Sequence, residues 1–289
     1  MSTHAYCEEK GTPAGSTAYY RRLFAPAESQ PAITALYALA AEVRAIPDDV
    51  SEPGAARMKV AWWQAELERL FEGNPGHPVT RELAGAVKRH GLGRERFDSL
   101  VALADIDIEH PGYTDADALL ERATRAADLQ RLESDICGYD DPDTVNFAER
   151  LGIALELSRI VRDLRLDAAQ GRIHVPADEL ETHGVRPGDL LQPETGTGVR
   201  ALLAEQVRRA RTHLDEAERA LPDADRRRQA SGLVAVRLER TLLAEIERDG
   251  YRVLEHRIAL TPVRKFWLAW RTARGACRKA RRAQGKSRQ

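Results

Sequence analysis

The chain has 289 residues, 43% of them hydrophobic and 31% charged, enough apolar content for a core of domain size. Its 44 basic and 45 acidic residues leave a formal charge of -1, which excludes the broad basic footprint of a nucleic-acid-binding protein. No apolar run reaches the roughly 20 residues of a transmembrane helix, and the opening MSTHAYCEEKGTPAG lacks a basic-then-apolar leader pattern.

Residues 1–15, broken by Gly11, Pro13 and Gly15, are expected as a poorly ordered lead-in. Ser16 starts a helix, and Ala32 to Pro47 carries Ile33, Leu36, Tyr37, Ala40 and Val43 at helical spacing. The same periodicity predicts helices over 55–71, 78–90, 94–109, 116–137, 142–168, 198–221, 224–248 and 262–283. Gly-, Pro- and Asp-rich connections separate them, and no convincing alternating strand occurs, so the expected fold class is all-α, a single-domain helical bundle.

Several chemistries drop out. Gly196-Thr-Gly198-Val-Arg-Ala201 imitates a dinucleotide loop, but no buried strand precedes it. Neither GxSxG nor a GxxxxGK phosphate loop is present, and the eight histidines form no HExxH pair. Cys7, Cys137 and Cys277 have no metal-ligand spacing and fit a reducing compartment, so a cytoplasmic protein is expected.

What remains is Ile160 to Glu179, IVRDLRLDAAQGRIHVPADE. On a helix, Asp163 and Asp167 stand four apart on one face, beside Arg159 and Arg162. Two carboxylates at that spacing can share a hard divalent cation, or be ordinary surface acids paired with arginine. The stretch resembles the second aspartate-rich motif of the squalene/phytoene synthase family, RDxxxDxxxGRIYLPxDEL. It keeps Arg162, Asp163, Asp167, Gly171, Arg172, Ile173, Pro176, Asp178, Glu179 and Leu180 of that pattern. Ser16 to Phe24, Ala32 to Ala40, Asp48 to Pro53 and Glu245 to Trp270 also look like that family, with the bacterial hopanoid branch most similar.

The resemblance implies an isoprenoid-synthase bundle over 16–270 that joins two farnesyl diphosphates head to head toward presqualene diphosphate or squalene. It implies Mg²⁺ on Asp163, Asp167 and Asp48 as catalytic ligands, with Tyr37, Arg44, Arg159, Arg162 and Arg264 at the substrate. A leaving group so rich in negative charge must be neutralised before its bond to carbon breaks.

The chain departs from the pattern where that chemistry sits. The family's DDxxD falls on Arg44, Ala45 and Asp48, with Pro47 inside the turn, where its ring tends to kink a helix. Ala41, Arg159, His174 and Glu239 replace an arginine, an asparagine and two tyrosines of the pattern. Arg44 and Arg159 can grip a diphosphate directly, or Arg44 can pair with Asp163 or Asp167 and close the site. The departures also fit a non-catalytic relative that binds an isoprenoid, a membrane or a protein partner.

Beyond Trp267 and Trp270, residues 271–289 carry eight Lys or Arg and no acid. Such a segment suits an anionic membrane surface as a peripheral contact, or is a solvated basic tail.

Overall fold

The computed structural model describes residues 1–49, 52–109 and 112–286. Among these, helices account for every regular element, and the only extended pairing is an isolated bridge between Tyr113 and Pro176. Thirteen α-helices follow one another: α1 Thr3–Gly11, α2 Thr17–Arg22, α3 Gln30–Asp49, α4 Pro53–Glu72, α5 Pro78–His90, α6 Arg94–Glu109, α7 Ala116–Ala126, α8 Asp128–Cys137, α9 Thr144–Ala169, α10 Ala177–Thr182, α11 Thr197–Ala220, α12 Ala230–Arg248 and α13 Pro262–Lys286. The all-α expectation holds.

The lead-in expectation does not. Ser2 caps α1 by accepting a hydrogen bond from the Ala5 amide at 3.2 Å, and Cys7 is fully buried. Gly11 is a packing residue and no breaker: a Cβ there would lie 2.4 Å from the Thr34 carbonyl oxygen, so its absence lets α1 close onto α3.

Local rules account for most boundaries. Ser16 caps α2 through the Tyr19 amide at 3.0 Å. Proline begins α4 and α5, where its missing N–H forfeits nothing. Pro47 does not break α3, which runs on to Asp49, although its missing N–H removes one ladder hydrogen bond.

Two cores result. Ile33, Leu36, Leu39, Trp63, Leu67, Leu83 and Phe97 fill the first, between α1 and α3–α6. Phe147, Leu151, Ile160, Leu202, Val234 and Leu243 fill the second, around α9, α11 and α12. Each such side chain contributes about 1.5–3 kcal/mol on burial. α9 packs against α7, α8, α11 and α12, so it is apolar on most sides and lacks a clean polar face. Its last turns emerge opposite the end of α3, where the two cores meet.

The expected basic tail is also structured. Helix α13 continues through Lys286 and buries Ala273, Ala276 and Ala280 against the bundle. The last three residues of that segment lie outside the described residues.

Candidate active site

The end of α3, the facing sides of α6 and α7, and the last turns of α9 enclose a cavity of ≈ 350 Å³. Its wall carries Arg44, Arg122, Arg159, Arg162 and Arg172, and the acids Asp48, Asp107, Asp163 and Asp167. The structure therefore brings together six of the eight residues singled out from sequence: Asp48, Asp163, Asp167, Arg44, Arg159 and Arg162.

Each acid is already paired. Arg162 forks onto Asp163, with Nε to Oδ1 at 2.8 Å and Nη2 to Oδ2 at 2.5 Å. Arg159 donates from Nη1 to Asp167 Oδ2 at 2.9 Å and from Nε to Glu156 Oε1 at 3.0 Å. Arg122 holds both oxygens of Asp107 at 2.9 Å and also reaches Glu156, while Arg172 pairs with Asp48. Arg44 lies 3.7 Å from Glu156 Oε2, so it pairs with neither Asp163 nor Asp167, and its side chain is 54% exposed to the cavity mouth.

Electrostatics follow from this weave. Burial works against an ionised Glu156, but Arg159, Arg122 and Arg44 outweigh it and hold its pKa well below the usual carboxylate value. Burial also opposes Asp163, and its Arg162 fork wins, lowering the pKa. At Asp167 burial prevails over Arg159, and the pKa rises. His174, 2% exposed, is pushed down to about 2 by burial and by Arg159 and Arg122, so it stays neutral. Its ring stacks on Tyr113 with centroids 6.0 Å apart, and its Nε2 is 3.5 Å from Asp167 Oδ2.

Arg162 separates this cavity from a second, of ≈ 250 Å³, lined by Arg162, Arg257, Lys265, Glu239 and the apolar Leu238, Leu242 and Leu260. Glu239 is 5% exposed with Oε2 unpartnered, and burial raises its pKa despite Arg162 and Arg21. Under Arg44 lies an apolar branch lined by Val43, Leu100, Leu103 and Leu129, of only ≈ 30 Å³.

Two residues taken as substrate contacts from the sequence lie elsewhere. Tyr37 lines neither cavity: it is 6% exposed and donates to Glu133 Oε2 at 2.7 Å, in a buried cluster with Arg21 and Ser231. Arg264 pairs with Glu245 at 2.6 Å on the surface, and its neighbour Lys265 faces the second cavity instead. Sequence reasoning missed Asp107, Arg122 and Glu156. Glu156 had a signal, since it stands seven residues, two helical turns, before Asp163. Asp107 and Arg122 come from α6 and α7 and had none.

The Mg²⁺ expected from the resemblance does not fit this arrangement. A hard cation needs carboxylate oxygens turned toward it, whereas both Asp163 oxygens face Arg162, Asp167 faces Arg159 and Asp48 faces Arg172. Among the described residues no three His, Cys, Asp or Glu side chains are grouped to hold a metal. Five guanidinium groups face four aspartates on the wall, and Glu156 behind it takes up charge from Arg44, Arg122 and Arg159, so the cluster is balanced. Arg44, held only at 3.7 Å and half exposed, is the guanidinium left to meet an anion.

Residues 12–264 match the family model for squalene/phytoene synthase. The chain is 30% identical to the phytoene synthase of Mycobacterium tuberculosis over 257 residues, covering 87% of this chain and 84% of that protein. It is 27% identical over 267 residues to phytoene synthase 1 of Arabidopsis thaliana, covering 90% of this chain but spanning only 63% of that protein's length. It is 26% identical over 278 residues to NADH dehydrogenase (ubiquinone) complex I, assembly factor 6, of Rattus norvegicus, covering 93% of this chain and 82% of that protein. The crystal structure of squalene synthase HpnC from Alicyclobacillus acidocaldarius superposes with a TM-score of 0.75 at 24% identity, covering 86% of this chain and 95% of that one.

Proposed function

The chain belongs to the squalene/phytoene synthase family, and from that premise we propose that it binds two prenyl diphosphates and joins them head to head. The observation that carries this reading is the pair of arginine-bearing cavities, ≈ 350 and ≈ 250 Å³, that share Arg162 as their common wall. One diphosphate sits against Arg44, Arg159 and Arg162; the other lies near Arg257 and Lys265. Guanidinium forks match phosphate oxygens two at a time, and in a cavity shielded from bulk water they stabilise charge that grows on a departing diphosphate. Asp163 and Asp167 aim those arginines and limit their freedom. The likeness of the sequence motif to the hopanoid branch supports farnesyl diphosphate as the substrate, two molecules giving presqualene diphosphate with release of one diphosphate and a proton. Going on to squalene takes, in addition, a hydride from a reduced nicotinamide and loss of the second diphosphate.

A second reading is binding without turnover, in a cytoplasmic protein that serves a partner as an assembly factor does. The closed ion pairs at Asp48, Asp163 and Asp167 and the narrow ≈ 30 Å³ apolar branch favour it. Ligand pockets for molecules of this size run to roughly 300–1,000 Å³.

One experiment separates the readings. Purified protein is incubated with radiolabelled farnesyl or geranylgeranyl diphosphate, with Mg²⁺ or with EDTA, and released diphosphate and hydrocarbon are measured. Release that persists in EDTA and falls at least tenfold in Arg159→Gln supports arginine-assisted condensation. Turnover that requires Mg²⁺ and vanishes in Asp163→Ala sinks the arginine account. Substrate binding with no release under any condition leaves the second reading standing.

A further inference from the structure

Helix α13 turns an apolar stripe outward. Val263, Phe266, Trp267 and Trp270 occupy positions i, i+3, i+4 and i+7 and therefore share one face. They are 81%, 50%, 49% and 41% exposed, whereas Ala269, Ala273 and Ala276 on another face are buried against the bundle. Leaving four large apolar side chains on one face in water is costly, so the stripe belongs against something.

The chemistry beside it says what. Arg271 stacks on Trp267 at 5.2 Å and Arg274 on Trp270 at 4.7 Å, so each ring has a cation over its face. Arg271 also lines a groove of ≈ 510 Å³ between α12 and α13, with Arg226, Arg237, Arg240, Arg278 and Lys279 against the single acid Glu218. Among the described residues, Arg237, Arg271, Arg278 and Lys279 have no carboxylate within ion-pair distance. No acid occurs anywhere in α13. A second copy of this chain would bring the same positive field to the contact and be repelled. An anionic surface with an apolar interior satisfies both features, and Trp is the residue that settles at that boundary.

We propose that α13 docks the protein on an anionic phospholipid bilayer, with the Val263–Trp270 stripe entering the headgroup boundary and the α12–α13 groove receiving lipid phosphates. Among the described residues no helix is long and apolar enough to cross a membrane, so the contact is with the surface.

The test is co-sedimentation of the full chain with phosphatidylcholine vesicles, with and without phosphatidylglycerol, at low and high salt. The protein is expected to bind only the phosphatidylglycerol vesicles and to be released by salt. Arg278→Gln and Lys279→Gln should each weaken partition about fivefold, and Phe266→Ser/Trp267→Ser/Trp270→Ser should abolish it with an unchanged circular-dichroism melt. Quenching of tryptophan fluorescence by brominated lipid should disappear in Trp267→Phe/Trp270→Phe. Absence of binding to phosphatidylglycerol vesicles, binding that survives the triple substitution, or a salt-resistant dimer in sedimentation velocity that the triple substitution dissolves would each overturn the proposal. None of these readouts depends on prenyl diphosphate turnover.

Discussion

Glu156 and Glu239 are both buried carboxylates, yet their surroundings drive them in opposite directions. Three arginines converge on Glu156 and hold it ionised, while Glu239 keeps one oxygen unpartnered and its pKa is raised by burial. Removing the Glu156 charge leaves the buried Arg122 with Asp107 alone and the buried Arg159 with Asp167 alone, and a broken buried pair costs at most about 3–5 kcal/mol. A depressed folded-state pKa gives stability that is present above the ordinary Glu value and lost as pH falls through the folded value. A raised one gives the reverse: wild-type stability declines as pH rises through the folded value of Glu239. Thermal melts between pH 4 and 8 should therefore show Glu156→Gln well below wild type at neutral pH. Glu239→Gln should lie above it, with both gaps narrowing toward pH 4. A Glu239→Gln melt below wild type at pH 7 would mean that Arg162 and Arg21 need that charge.

At the scale of the element, close contacts between helices decided what periodicity could not. The pattern over 116–137 reads as one helix, yet the chain breaks into α7 and α8 at Ala127, where a Cβ on Gly152 would lie 2.4 Å from the Ala127 Cα. The junction is shaped by its contact with α9. Likewise the helix expected from Ala224 begins at Ala230, because Asp225 is drawn into a turn that accepts from the amides of Asp140 at 2.8 Å and Asp141 at 3.0 Å. By contrast α5 begins and ends at the residues read from sequence, since Pro78 opens it and Gly91, in the αL conformation, closes it. The α1 contact yields a prediction at this scale. Gly11→Val forces a branched side chain into the Thr34 backbone and should cost about 1–3 kcal/mol in urea unfolding. The same substitution would be nearly silent if residues 1–15 were a loose lead-in.

For the whole molecule, charge is balanced in total and concentrated locally. A formal charge of -1 conceals an arginine-lined cavity between the two cores and a basic groove along α13. If the cavity is an anion receptor, inorganic diphosphate in EDTA should raise the melting temperature, by about 2.7 kcal/mol of stabilisation at a hundredfold excess over Kd. Arg44→Gln and Arg159→Gln should blunt the shift. A shift seen only with added Mg²⁺ would restore the metal to the site.

The residue order alone determined the helical class, most helix limits, the family, and the stacked acids at Asp163 and Asp167, because these depend on spacing within one helix or on short contiguous motifs. It also marked Arg44 and Arg159 as the departures at the site. Only the tertiary structure decided which arginine takes which acid, that Tyr37 and Arg264 stand away from the cavities, and that Asp107, Arg122 and Glu156 join the weave. Those outcomes depend on distances between residues up to 124 positions apart in the chain, as Asp48 and Arg172 are, and such distances are set by how the two cores pack, which no local pattern encodes.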